Sequence, residues 1–246
     1  MRFGLETTIR LTNNHPNQRF VFQNPDDRDH FIKNNIIAKA DARVIRSSGI
    51  DIDTYSPQPI PDTTPTVILP TRMLWSKGVG EFVEAARILH TRDIDARFAL
   101  VGDHDPGNPD AILQEQLEAW DDQPWIEWWG YQDDMITTYA NSHIVCLPSY
   151  YREGVPQVVL EAAACARPVI TTDAPGCREG VKHGETGYLV PPRDANALAE
   201  RLEMLLKDPE RRTSMGQRGR EYIEQEFSRE RVVEKTIALY QDMVAP

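Results

Sequence analysis

Two glutamates eight positions apart, Glu153 and Glu161, bracket the stretch EGVPQVVLE. The first stands in a loop with Gly154 and Pro156, and the second falls one turn inside an apolar run that reads as a helix. Pro156 suits the first helical position, where a missing N–H costs nothing. The N–H groups of Val155, Gln157 and Val158 then face outward with the positive end of the helix dipole behind them, which is an anion site suited to a diphosphate. Gly154 permits close approach of a ligand to the backbone. Glu161 lies roughly 7 Å along the axis at ~1.5 Å per residue, and its side chain tilts back toward the helix mouth. A carboxylate there accepts from the two hydroxyls of a ribose, and Glu153 accepts from those of a sugar. On spacing alone the pair reads equally well as a solvated loop charge and a helix surface residue.

Arg72 and Lys77 shift that balance. They follow the apolar run TVILP, on the same sheet edge that the glutamate helix leaves, with Gly78 and a helix next. Two cations there would neutralise a diphosphate leaving group, the work a divalent metal does elsewhere. A glycoside hydrolase also uses paired carboxylates, but it has no need of cations and a helix mouth arranged for phosphate. The triplet Asp-Ile-Asp occurs at 51–53 and 93–95, neither on that edge. No metal site is expected from them, nor from six scattered histidines.

These residues need a scaffold. Short apolar runs alternate with helical patterns, the signature of a parallel sheet wrapped by helices. RFVFQN (19–24), DDRDHFIKNN (26–35) and ARVIRSSGI (42–50) read as strand, helix and strand. DTYSPQPIPDTTP (53–65) carries four prolines and reads as an irregular linker. Strands are then expected at 66–70, 143–149, 167–173 and 186–192, with a strand running into a glycine turn at 96–103 and a strand and turn at 125–131. The helix after the second glycine run carries Phe82, Val83, Ala86 and Leu89 on one face. Trp125, Trp128 and Trp129 read as core packing. Three helices close the chain, capped by Asp194, by Asp208 with Pro209, and by Ser228. Leu198, Leu202, Leu205 and Leu206 form one stripe, and Val233, Ile237 and Tyr240 another. ERRTSMGQRGRE reads as a cationic, solvated helix face.

Composition narrows the class. A net charge of −11 argues against nucleic acid or an anionic membrane as the main partner. Three cysteines without CxxC spacing suit a reducing cytosol, with no disulfide frame and no zinc site. No apolar run approaches the ~20 residues of a membrane span, and the start of the chain lacks a signal-peptide h-region. A cytoplasmic protein is expected.

The motifs R-x4-KG, VGD, GY-x-DD, PS-x3-EG-x-P-x4-E, RPVI-x-TD-x-PG-x-RE and G-x-TGYLVPP, taken together, resemble the retaining glycosyltransferases of the GT4 family. These are two-domain GT-B enzymes, often of bacterial capsule, O-antigen and exopolysaccharide synthesis. The resemblance covers about residues 19–246 and implies an α/β fold, the doubly wound, Rossmann-like parallel sheet of a GT-B C-terminal domain. It divides the chain into 1–52, the last strand–helix–strand of an N-terminal acceptor domain; 53–65, the linker; and 66–246, a nucleotide-sugar domain with C-terminal helices. It implies that Arg72 and Lys77 bind the donor diphosphate and that Glu153 holds the transferred sugar. Gly154, Val155, Pro156 and Gln157 would lend backbone groups, Glu161 would take the ribose, and Gly102, Gly130 and Tyr131 would border the phosphate and base. The implied reaction moves a sugar with retention to a saccharide or lipid-linked acceptor, with no metal or other cofactor and with peripheral membrane contact left open. Most of the family's N-terminal domain is missing, along with the Gly-rich loop and histidine that cover the donor from that side. The alternative is therefore a non-catalytic nucleotide-sugar-binding subunit completed by another chain. Phe20, Phe22 and Ile45 lack the sheet they should join, so self-association or a partner supplying the N-terminal domain is expected.

Overall fold

The computed structural model describes His15 and residues 17–244. Residues 1–14, 16, 245 and 246, and with them most of the segment bearing on a signal peptide, lie outside the described residues. Eight strands and eight α-helices follow among the described residues. They are β1 (Phe20–Phe22), α1 (Pro25–Lys33), β2 (Ala42–Val44), β3 (Thr66–Pro70), α2 (Val79–Thr91), β4 (Arg97–Val101), α3 (Gln114–Asp121), β5 (Glu127–Trp128), α4 (Met135–Ala140), β6 (Ile144–Leu147), α5 (Gln157–Ala164), β7 (Val169–Thr172), β8 (Gly187–Val190), α6 (Ala195–Lys207), α7 (Pro209–Glu226) and α8 (Arg229–Val244).

The main sheet has the order β5-β4-β3-β6-β7-β8, and every pairing in it is parallel. The chain steps outward from β3 to β5, then returns to lay β6 on the other side of β3. Strand order therefore reverses at the β3/β6 boundary, where open α/β sheets bind ligands beyond the carboxyl ends of their strands. β3, β6 and β7 are buried throughout, as strands covered on both faces must be. Phe82, Val83, Ala86 and Leu89 of α2 and the leucine stripe of α6 face this sheet as expected. Asp194 and Asp208 accept from the N–H groups of Ala197 and Arg211, each at 2.9 Å, and so cap α6 and α7.

Four sequence expectations change. β5 takes up only Glu127–Trp128 of the strand and turn expected at 125–131, and the Trp128 indole N–H donates to the Gly102 carbonyl (2.8 Å) beside it. Pro156 is not the first helical residue: its φ of −64° is helical but its ψ of 126° is extended, so it caps α5 from outside. The cationic stretch of α7 is not simply solvated, since Arg212 is buried on the carbonyls of Leu205 and Leu206. Its neighbour Arg220 holds the carbonyls of Ile52, Tyr55 and Ala164. Finally, Phe20 and Phe22 are not left bare. β1 and β2 pair in parallel, and both phenylalanines pack with Phe31 and Ile32 around Ile36, Ile37 and Ala42, while Ile45 is buried. Exposed apolar side chains lie elsewhere, among them Val21 and Val233, Ile237 and Tyr240 of α8.

The linker is irregular, as its prolines require, yet it is tied down. Buried Arg167 donates to the carbonyls of Gln58 (3.1 Å) and Pro59 (3.3 Å). Thr66 N–H donates to His143 Nδ1 at 3.0 Å, which makes Nε2 the protonated nitrogen that donates to the Pro61 carbonyl, also at 3.0 Å.

Candidate functional site

A cavity of about 550 Å³ opens at the carboxyl ends of β3 and β4, against the first half of α5. Arg72, Gly102, Tyr131, Tyr139, Val158 and Glu161 are among its walls. β3 ends at Pro70, so Arg72 stands at the rim, 64 % exposed, with one loose ion pair to Asp105 at 3.3 Å. Gly102 has φ of +141°, and a Cβ there would strike the Thr71 carbonyl, so only glycine lets β4 turn under the cavity. Its N–H donates to the Gly130 carbonyl (2.8 Å), and Asp103 Oδ1 accepts the Tyr131 N–H (2.9 Å). The Tyr131 ring is thus carried on a pinned backbone while remaining 65 % exposed. Glu161, one turn into α5, accepts from the buried Tyr139 hydroxyl at 2.8 Å. Tyr55, from the linker, has its phenol pushed up to about 12 by burial and by the charge of Glu161.

Beside this cavity the other expected residues meet one another. Lys77 Nζ donates to both carboxylate oxygens of Glu153, at 2.8 and 2.7 Å, with the two side chains only 12 % and 19 % exposed. Buried Ser149 places its hydroxyl 3.1 Å from Glu153 Oε1. Of the two cations expected to meet a diphosphate, Lys77 is paired with the glutamate assigned to the sugar, and Arg72 is partly balanced by Asp105.

The helix mouth is also less open than expected. Val155 N–H donates to Gln23 Oε1 (3.2 Å), and a Cβ on Gly154 would collide with that same amide. The space that glycine leaves is filled by a side chain of the β1–α1 turn. Asn24 reaches the Glu153 carbonyl at 3.3 Å, and Gln157 Nε2 donates to Ser48 Oγ at 2.9 Å. Ion pairs Arg152–Asp27 (2.6 Å), Arg178–Asp26 (3.1 Å) and Arg46–Glu179 (2.9 Å) hold the unit of residues 20–50 across this corner. Gly154, Val155, Pro156 and Gln157 border that seam, and Gly130 lies behind Gly102.

The sequence reading missed Tyr139, Ser149, Gln23 and the carboxylates of Asp103 and Asp105. The acids of VGDHD could have warned that Arg72 has a partner nearby; nothing in spacing marks Tyr139 or Gln23. Among the described residues no three His, Cys, Asp or Glu side chains cluster in a way that could hold a metal ion. No helix among them is long and apolar enough to cross a membrane.

An anion drawn to Arg72 and an oxygen-rich group seated on Glu161 would share one cavity, with an aromatic ring at its rim. The family model described as "Glycosyl transferases group 1" matches residues 52–222. The N,N'-diacetylbacillosaminyl-diphospho-undecaprenol alpha-1,3-N-acetylgalactosaminyltransferase of Campylobacter jejuni is 30% identical over 228 residues, 87% of this chain and 58% of its own length. The capsular polysaccharide biosynthesis glycosyltransferase CapM of Staphylococcus aureus is 29% identical, over 69% of this chain and 44% of its own. The chain thus spans about half the length of these curated relatives. In fold it resembles Anabaena HepE, solved in complex with UDP, with TM-score 0.82, 21% identity, and coverage of 96% of this chain and 68% of that one.

Proposed function

The chain belongs to the glycosyl transferases group 1 family, and from that premise we propose that it forms the nucleotide-sugar side of a retaining glycosyltransferase of the GT4 type. One observation carries the reading: Arg72 and Glu161 line the same cavity at the reversal point of the sheet, one fit for phosphate and the other for a vicinal diol. Tyr131 lies at the rim for the base. UDP is the first candidate nucleotide, because HepE was solved with it. A lipid-linked saccharide is the first candidate acceptor, because the Campylobacter relative is named for one.

In the proposed reaction the bond from the anomeric carbon to the diphosphate oxygen breaks while the acceptor oxygen bonds on the same face. The acceptor proton passes to the departing phosphate oxygen, so the protein positions groups and stabilises charge. Arg72 meets the diphosphate directly. Lys77 serves it once the sugar engages Glu153 and loosens the pair. The positive field comes from the protein, with no metal.

The test is calorimetric titration of the chain with UDP, GDP and ADP in EDTA. Heat of binding is expected for at least one; a folded chain that binds none of them would sink the proposal. A second reading, donor binding without transfer, draws on the Gln23, Asn24 and Ser48 contacts that close the helix mouth. A radiolabelled-donor assay separates the two. We expect little turnover by this chain alone, since Gln23, Asn24 and Ser48 of the small strand–helix–strand unit close over the helix mouth from the far side. Robust transfer by a clean monomer would show that the acceptor site has been misplaced.

A further inference from the structure

We propose that Tyr139 is the positioning residue of the nucleotide half of the site: its buried hydroxyl orients the Glu161 carboxylate for the ribose diol, so this phenol sets the preference for ribose over deoxyribose. The inference rests on the donor-site reading above and adds to it a residue outside the glutamate motif.

Three observations support it. Tyr139 is fully buried at the end of α4, yet its hydroxyl reaches Glu161 Oε2 at the cavity wall, 2.8 Å away. A carboxylate only accepts, so the phenol must be the donor, and the bond fixes which way the carboxylate plane is turned. The phenol cannot drift, because its own backbone is anchored. The Tyr139 carbonyl accepts from Arg167 Nε (2.9 Å) and Ser142 Oγ (2.9 Å), and the next carbonyl, of Ala140, accepts from Arg167 Nη2 (3.0 Å). Arg167 is itself buried and spends its remaining donors on Cys165 and on the linker at Gln58 and Pro59. Helix α4 is held at its other end by Asp134, which caps it through Thr137. A glutamate on a helix surface has several free rotamers; tied to such a post it has few. Two carboxylate oxygens offer about four acceptor sites, so the bond from Tyr139 leaves room for two ribose hydroxyls. Burial and the charge of Glu161 raise the phenol well above its ordinary pKa, consistent with a hydroxyl that always donates.

The experiment compares Tyr139→Phe with the unaltered chain, titrating UDP, GDP and ADP and their 2′-deoxy counterparts. The change deletes one oxygen and leaves the ring packed, and thermal melting checks that the fold persists. In the unaltered chain the ribonucleotide is expected to bind about tenfold or more tightly than its deoxy form, the size of a charge-assisted hydrogen bond. In Tyr139→Phe that ratio should fall to about threefold or less, with the deoxy affinity little changed. In a Glu161→Gln background Tyr139→Phe should alter the ratio no further. A ratio that survives Tyr139→Phe, or one that falls equally in both backgrounds, overturns the proposal. Absence of any nucleotide binding by the unaltered chain would instead overturn the donor-site reading, so the two failures are distinct.

Discussion

The two halves of the candidate site hold the same kinds of charge in opposite states. Lys77 and Glu153 are half-sequestered and bonded to each other twice, at 2.8 and 2.7 Å. Arg72 has one 3.3 Å contact and stands mostly in solvent, and Glu161 leans on an uncharged phenol. A charge paired in a partly buried corner contributes little to the field a ligand meets, because its partner cancels it at short range. On the proposed function, the half around Arg72 and Glu161 would receive a nucleotide as it stands. The half around Lys77 and Glu153 is closed on itself and opens only to a ligand that brings partners for both ions, which a sugar diphosphate does. Nucleotide affinity and sugar discrimination should then respond to different residues.

The largest effect is expected at Lys77. Lys77→Ala removes a diphosphate partner of the nucleotide sugar and leaves Glu153 uncompensated next to it, so nucleotide-sugar affinity should fall by about 3 kcal/mol, on the order of a hundredfold, with the bare nucleoside diphosphate weakened much less. Glu153→Gln should act in the other direction, freeing Lys77 and tightening the bare diphosphate while removing discrimination among sugars. Calorimetry with UDP and UDP-glucose reads both. If the two variants shift diphosphate affinity in the same direction, the closed half is not held by this pair.

Glu161→Ala comes next, with an expected loss of about 1.5–3 kcal/mol in nucleotide affinity. Discrimination among sugars should be unchanged, because the residue lies in the open half. Unaltered diphosphate affinity in this variant would remove Glu161 from the ribose. Arg72→Ala should cost less, about 1 kcal/mol, since the guanidinium is mostly exposed and screened. That loss should shrink as salt is raised from low to physiological ionic strength, whereas the Lys77→Ala loss should persist. Equal salt dependence would mean the two cations are equally open and the comparison fails.

What could be foreseen divides along the same line. The strands, the leucine stripe of α6, the Asp194 and Asp208 caps and the helix bearing Glu161 follow from local pattern, where residues within a turn or two decide the outcome. That Arg72 and Glu161 share one sheet edge was legible because Arg72 follows a recognisable β-strand and Glu161 stands early in a recognisable helix. The pairing of Lys77 with Glu153, both named from sequence, was not. Lys77 and Glu153 are 76 positions apart, and Gln23 and Val155 are 132 apart, so no spacing rule relates them. The ion pairs of the two cations were not foreseen because a sequence shows charge but not the partner that cancels it. Pro156 was misplaced by one position for a related reason: its ring fixes φ, while ψ is set by where the preceding loop must go. Buried Arg212 and Arg167 were invisible for the opposite cause, since their partners are backbone carbonyls, which every residue carries.

The smallest effect belongs to the seam that covers the helix mouth. Gln23 Oε1 takes the Val155 N–H and fills the space above Gly154, yet Gln23 is itself exposed, so water can replace much of what it gives. Gln23→Ala should leave stability nearly unchanged, because a neutral bond at an exposed site contributes about 0.5–1.5 kcal/mol at most and water recovers part of that. Its mark should fall on ligands instead. With the amide gone, the Val155 N–H and the pocket above Gly154 become available. A nucleotide sugar, which reaches them, should bind about two- to threefold tighter, while the bare nucleoside diphosphate, which lies in the open half, should not change. Titrating UDP and UDP-glucose into Gln23→Ala checks both numbers in one experiment. Equal gains for the two ligands would place the helix mouth in the nucleotide half. A loss for the sugar nucleotide alone would make Gln23 a contact to the sugar rather than a cover over its place.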